Sequence, residues 1–246
     1  MSHLKDVLRV RNLNNTKLQV PINKGFQDFW LADLLKLEFL EVSEDSERYF
    51  SENGLVQDGV CYRYQLAKEM PRIFQENLRS KQHPVLKSLA DKDSPIVDLT
   101  LGEGRDSLTF LKAGRKVLAF ERNPYIFIYF LLNLARLAEI ETLSLENLEV
   151  VHGNFFEHSK DIEFNQFYYD PMYRPPKRKA LPRGTIQLFE KLVIDGDTDQ
   201  KENLRWVLEN YQGKVVVKRS PHAEPILDGY NHQLKTKLVR YDVYVN

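Results

Sequence analysis

From about residue 95 onward, short apolar runs alternate with stretches of helical periodicity, and this alternation restricts the fold more than any other feature of the chain. Residues 95–100 read as a strand, 107–112 as a helix, 116–121 as a strand and 124–139 as a helix. Such alternation lays strands in parallel, because each return to the same edge of a sheet requires a crossover helix. Further strands are expected at 148–152, 166–169 and 214–218, and helices at 185–193 and 200–211. The tail, 234–245, reads as one or two closing antiparallel strands. The expected class is therefore α/β, with a Rossmann-like, mostly parallel sheet over residues 91–246.

Residues 1–90 read differently. In GFQDFWLADLLKLEFLEV, from Gly25, the apolar residues Phe26, Phe29, Trp30, Leu34 and Leu37 recur at three and four residue spacings, as on a buried helix face. Pro71 is expected to interrupt or start a helix and Pro84 to open a short one. The expectation is a helical N-terminal region, possible ground for substrate selection, ahead of the sheet.

Thirty-five basic and 35 acidic residues cancel, so any nucleic-acid contact must come from local patches rather than a coating of positive charge. The longest strongly apolar stretch, 125–132, falls far short of the roughly 20 residues a membrane-spanning helix needs. The opening MSHLKDVLRVRNLNN lacks the apolar core of a secretory signal, so the expected compartment is the cytoplasm. Cys61 is the single cysteine, which excludes an intrachain disulfide and a cysteine-based zinc site, and it is expected to be packed. The histidines show no paired spacing and no acidic cluster has ligand geometry, so no metal is expected. A serine elbow and a phosphate loop ending in Lys-Ser or Lys-Thr are both missing, which leaves hydrolase and nucleoside-triphosphatase readings without support.

Three motifs carry chemistry. IVDLTLGEGRDS (96–107) is an apolar strand ending in Asp98, a loop with Gly102 and Gly104, and a helix start, a combination that brings backbone close beneath a ligand and makes Asp98, Gly102 and Gly104 candidate cofactor contacts. The next strand, KVLAFE, ends in Glu121, 19 residues beyond Gly102, where a carboxylate can accept the ribose hydroxyls of an adenosine cofactor. These two motifs do not separate a dinucleotide from S-adenosylmethionine. FYYDPMY (167–173) does, because a planar amine must be held in line with a methyl sulfonium. The Asp170 carboxylate and the Pro171 carbonyl can accept the two amine hydrogens, and Tyr173 offers a face on which an extruded base can stack. Between these, Asn154 of VVHGNF can reach the adenine edge of a cofactor. The run RPPKRKALPR then places Arg174, Lys177, Arg178, Lys179 and Arg183 beside the reaction centre as candidate RNA-backbone contacts, with Lys218 and Arg219 at the end of KVVVKRS as a second basic element.

The segments VDLTLGEGRDS, LAFERNP (118–124), YYDPMY, KVVVKRSPHAEP (214–225) and RYDVY (240–244) together resemble, in order and spacing over about residues 84–246, the ribosomal RNA small-subunit methyltransferase J family. These are guanine-N2 methyltransferases of bacterial small-subunit ribosomal RNA. The resemblance implies a class I S-adenosylmethionine-dependent methyltransferase fold with a mostly parallel seven-stranded sheet. It further implies methyl transfer to the N2 amine of one guanine, with small-subunit ribosomal RNA or the assembled small subunit as partner. Cofactor contacts are implied at Arg105, Asp106, Glu121, Arg122, Asn154, Phe155 and Asp170, which sets Asp170 between cofactor and amine. Two other readings share the fold: transfer to adenine N6 or another planar amine, and a catalytically silent RNA-binding assembly factor.

Overall fold

The computed structural model describes residues 8–13, 18–28, 31, 37–79, 84–89, 91–158, 164–172, 184–193 and 198–246. Six four-residue strands, β1 (Arg9–Asn12), β2 (Gln19–Ile22), β3 (Glu38–Glu41), β4 (Arg48–Ser51), β5 (Gly54–Gln57) and β6 (Val60–Arg63), occupy the region expected to be helical. This corrects the N-terminal reading. Of the proposed helix face, Phe29, Trp30 and Leu34 lie outside the described residues, while Phe26 and Leu37 are buried. Glu38 begins β3, which pairs in parallel with β2 from Gln19↔Glu38 to Ile22↔Glu41. A four-residue strand shows at most two alternations, too few to outweigh a helical spacing when tertiary pairing is unseen.

Strands β2 to β6 form a five-stranded sheet in the order β3-β2-β4-β5-β6. Cys61, expected to be packed, is exposed on β6, an edge strand of that sheet whose residues alternate poorly between core and solvent. Helix α1 (Leu66–Arg79) follows and runs straight through Pro71 instead of breaking there. Its partners are two later helices, α3 and α4 below, and that packing outweighs the one backbone bond a proline forfeits. Pro84 opens the short α2 (Pro84–Ser88), as expected.

The large sheet is built from β7 (Ile96–Asp98), β8 (Val117–Glu121), β9 (Leu148–His152), β10 (Gln166–Tyr169), β11 (Lys214–Arg219), β12 (His232–Lys235) and β13 (Arg240–Val245). Its order is β1-β9-β8-β7-β10-β11-β13-β12. The seven expected strands are all present, with β13 antiparallel to both neighbours. The eighth strand is β1, which leaves the N-terminal region to pair in parallel with β9, Arg9↔Glu149 to Asn12↔His152. The sheet thus has eight strands, not seven, because the start of the chain reaches across the expected boundary at residue 90.

Helices α3 (Arg105–Lys112), α4 (Pro124–Ala138), α5 (Phe155–His158), α6 (Gly184–Leu192) and α7 (Gln200–Asn210) cover the two faces. Residue parity along the strands sorts the core. Ile96, Ala119, Val150, Tyr168 and Val216 face the side of α3, α4 and the N-terminal sheet, whereas Val97, Leu118, Phe120, Val151, Phe167 and Val217 face Leu204 and Val207 of α7. Helix α4 starts at Asn123, whose side chain accepts from the N–H groups of Tyr125 and Ile126 at 3.0 and 3.2 Å, with Pro124 at the first helical position. It is apolar almost all round because the large sheet lies on one side and the N-terminal sheet on the other. Among the described residues no helix is long and apolar enough to cross a membrane.

Candidate active site

Parallel strands converge on one edge, and ligands of such sheets bind outside the carboxyl ends of the strands. Here that edge holds a cavity of about 290 Å³ lined by Gly102 and Thr100 after β7, Glu121 at the end of β8 and Arg122 after it, Asn154 and Phe155 after β9, and Asp170 after β10. Apolar walls come from Ile126, Met172 and Phe189, among others.

Glu121 is the best-anchored acidic group of the cavity. Its Oε2 accepts the Gly102 N–H at 3.0 Å and its Oε1 accepts the Asn123 N–H at 2.8 Å, so one carboxylate fixes both the glycine loop and the start of α4. Gly102 adopts φ 54°, a left-handed conformation that favours glycine, and packs beneath Phe189. Asp98, expected as a cofactor contact, lies behind the loop and braces it. Its Oδ1 accepts the Thr100 N–H at 3.0 Å and its Oδ2 the Ser107 hydroxyl at 2.6 Å. Burial pushes its carboxyl up to about 7 against the pull of these two hydrogen bonds, with Asp106 and Asp170 adding to the upward push.

The second anchored acid is Asp170. Its N–H donates to Thr100 Oγ1 at 2.8 Å, and its Oδ2 receives the Lys218 ammonium at 2.8 Å. The same ammonium reaches Asp106 Oδ2 at 2.7 Å, and the Tyr168 hydroxyl donates to that oxygen at 2.8 Å. Burial opposes the charge on Lys218, but the two carboxylates overcome it and hold the amine well above the usual lysine value. Lys218 is therefore not a solvent-facing RNA contact, because its charge is engaged between Asp106 and Asp170. Arg219 is likewise turned inward, donating to the Glu224 carbonyl at 3.0 Å and to Gln200 Oε1 at 3.3 Å.

The cavity suits S-adenosylmethionine by its donor set. Two carboxylates, Glu121 and Asp170, stand at strand ends two strand spacings apart, ~10 Å, on a wall that also carries Arg122, three asparagines and a set of apolar and aromatic side chains. Carboxylates complement hydroxyl and cationic groups, and the aromatic wall accepts a purine.

Comparison with known proteins decides the family. Residues 59–246 match the family model described as "Putative SAM-dependent methyltransferase". The chain is 31% identical over 216 residues to the ribosomal RNA small subunit methyltransferase J of Bdellovibrio bacteriovorus, covering 82% of this chain and 84% of that one. It is 32% identical over 181 residues to the protein of the same name from Thioalkalivibrio sulfidiphilus, covering 70% and 71%. The chain belongs to the ribosomal RNA small subunit methyltransferase J family. A crystal structure of a SAM-dependent methyltransferase from Neisseria gonorrhoeae shares the fold at 18% identity, with a TM-score of 0.65 over 92% of this chain and 95% of that one. The protein is thus a methyltransferase of Rossmann-like fold whose cofactor is S-adenosylmethionine.

Within this member of the family, the remaining expected residues divide. Arg122 lines the cavity and is ion-paired with Asp199 at 2.8 Å across its rim. Asn154 lines it too, while its amide donates to Glu157 Oε1 at 3.0 Å and its oxygen accepts the Phe156 N–H at 3.3 Å, marking the start of α5. Phe155 is a wall residue, buried against Phe120 with ring centroids 5.1 Å apart. Arg105 does not line the cavity; it pairs with Glu103 at 2.5 Å and with Glu69, tying α3 to α1. Gly104 serves packing, as a Cβ there would sit 2.1 Å from the Phe130 ring. Pro171 is buried at the strand end. Tyr173, Arg174, Lys177, Arg178, Lys179 and Arg183 lie outside the described residues. Sequence reasoning passed over Thr100, Asn123 and Tyr168, although each stands inside a motif already singled out. It also passed over Phe189 and Asn203, which reach the cavity from α6 and α7 and carry no local signature.

Proposed function

We propose that this enzyme methylates the exocyclic N2 amine of a guanine in small-subunit ribosomal RNA, in the cytoplasm, on naked RNA or the assembled subunit. The observation carrying the proposal is the anchoring of Asp170, fixed through its backbone by Thr100 and through its carboxylate by Lys218, at the edge of the same cavity that holds Glu121. The names of the relatives supply the substrate class. The Asp170-Pro171 pair suits a planar amine, and the resemblance of the closing segments to that family favours guanine N2 as the acceptor.

Glu121 would hold the ribose hydroxyls, and the cavity-lining Phe155 and Ile126 would offer apolar contact to the adenine. S-adenosylmethionine supplies an electrophilic methyl carbon bound to a positive sulfur. Asp170 and the Pro171 carbonyl accept the two amine hydrogens and so aim the nitrogen lone pair at that carbon. Tyr173 stacks on the extruded base. Asp170 would accept the proton released as the amine takes the methyl group, with S-adenosylhomocysteine as the other product, and would pass it to water. The residues act by position and fixed charge, without a covalent enzyme intermediate.

The test is to incubate the protein with methyl-labelled S-adenosylmethionine and small subunits from a strain lacking it, then identify the labelled nucleoside after digestion. Label in N2-methylguanosine is expected. Label in N6-methyladenosine, or in no nucleoside of the RNA, overturns the proposal.

A further inference from the structure

The turn joining β12 to β13 stands on the reactive edge of the sheet, although nothing in the catalytic reading uses it. Strand β13 is antiparallel to β11 and to β12, so β12 runs parallel to β11 and ends, at Lys235, beside Arg240 and Arg219. The turn over residues 236–239 therefore projects past the same edge as Asp170. Asp170 follows β10, and β10, β11, β13 and β12 are successive neighbours, so the turn joining β12 to β13 lies two to three strand spacings away, ~10–14 Å.

Three features of this turn point in one direction. Lys235, Thr236, Lys237 and Leu238 are all exposed, Leu238 at 83%. No acidic residue occurs from His232 to Val239, so the two ammonium groups are not offset locally. The turn is also internally braced: Thr236 N–H and Oγ1 both donate to the Val239 carbonyl, at 2.8 and 2.9 Å, while Oγ1 accepts the N–H groups of Val239 and Leu238 at 3.0 and 3.3 Å. A leucine left in water directly after two lysines on a braced turn is arranged to meet a partner that is both anionic and stackable. Phosphates answer the lysines, and an unstacked base answers the leucine.

We infer that the β12–β13 turn is an RNA-docking element, in which Lys235 and Lys237 hold backbone phosphates flanking the target nucleotide and Leu238 packs against a neighbouring base. The inference rests on the ribosomal RNA reading above and adds the surface that recognises the strand outside the cavity. It needs no rearrangement of the catalytic residues, because the turn and Asp170 already share one edge.

The experiment measures binding of small-subunit ribosomal RNA to protein saturated with S-adenosylhomocysteine over a range of salt, alongside methylation kinetics. Three variants are compared with the wild type: Lys235→Glu/Lys237→Glu, Leu238→Ala, and Lys92→Glu/Lys116→Glu. The last makes the same charge change at the opposite edge of the sheet. Loss of two phosphate contacts should lower the slope of log K against log salt by about 1.4 and weaken RNA binding at least about tenfold. Leu238→Ala should lower kcat/KM for RNA roughly tenfold with the salt slope unchanged. Affinity for S-adenosylhomocysteine should stay at the wild-type value in all three, which also reports folding. Equal losses in the turn and opposite-edge charge variants, or no loss in the turn variants, overturn the inference while the ribosomal RNA reading stands. A wild type that neither binds nor methylates the RNA overturns both, whereas one that binds without methylating removes only the catalytic reading.

Discussion

The Lys218 ammonium lies 2.8 Å from Asp170 Oδ2, on the strand next to it, and 2.7 Å from Asp106 Oδ2 beneath. One cation thus keeps two carboxylates together and orients the one that faces the cavity. Lys218→Met removes the cation and leaves the acids opposed, so the carboxylate of Asp170 should swing from its place. The expected result is a fall in kcat of about 100-fold, the scale of a misplaced reacting group, with KM for RNA nearly unchanged. Lys218→Arg should recover part of the rate. Single-turnover methylation with each variant checks this, and a kcat equal to wild type in Lys218→Met would remove Lys218 from the positioning of Asp170. Asp170→Ala should abolish transfer while only moderately weakening cofactor binding.

Glu121 accepts two backbone N–H groups and faces the cavity, so its loss should act on the cofactor first. Glu121→Ala is expected to raise the dissociation constant for S-adenosylhomocysteine roughly 10- to 100-fold, in line with hydrogen bonds to a charged group. Calorimetric titration would show it, and unchanged affinity would place the ribose elsewhere.

Asp98 should make stability fall as pH rises. Its folded-state carboxyl is raised from the ordinary 3.8 to about 7, so the native state holds a proton that the unfolded chain has already released. Between those values the unfolded state binds fewer protons, and stability declines with pH, by at most about 4 kcal/mol, before flattening above about 7. Urea unfolding at pH 5 and pH 7.5 should show wild type losing stability relative to Asp98→Asn across that interval. Parallel behaviour of the two proteins would mean that Asp98 does not titrate there.

Gly104→Ala should be costly. The residue has φ 79°, and its new methyl would meet the Phe130 ring, which is fully buried in α4. Left-handed strain and overpacking together suggest a loss of about 2–5 kcal/mol, readable as a lower denaturation midpoint. A midpoint within error of wild type would show that Phe130 can yield.

The large sheet was readable because parallel strands buried on both faces appear as apolar runs, VLAFE and KVVVK being the clearest, each next to a stretch of helical periodicity. Asn123 and Pro124 even mark the first turn of α4. The N-terminal sheet was not readable, since Gln19–Ile22 and Glu38–Glu41 become strands only by meeting each other, and neither has length enough to announce itself. At the cavity, Gly102, Glu121 and Asp170 stand at strand ends, where position along the chain translates directly into position in space. Lys218 was misread for the opposite reason. Its role depends on the register of β11 against β10, Tyr169 opposite Val217, and on the helix below, which no linear spacing encodes.

The pairing of Arg9 with Glu149 joins residues 140 positions apart in the chain, as does the contact of Asn12 with His152. A ribosome delivers β1 first and its partner β9 only after more than half of the protein has emerged, so the opening strand must wait unpaired while β7 and β8 are still being made. Until β1 docks, β9 presents an open parallel edge, the kind of surface that invites another chain. Residues 9–12 therefore act as a late-docking cover: removing them would leave the cavity's own residues in place but make the apolar β9 the edge of the sheet instead of the half-exposed β1, and self-association rather than loss of methyl transfer would be the first sign.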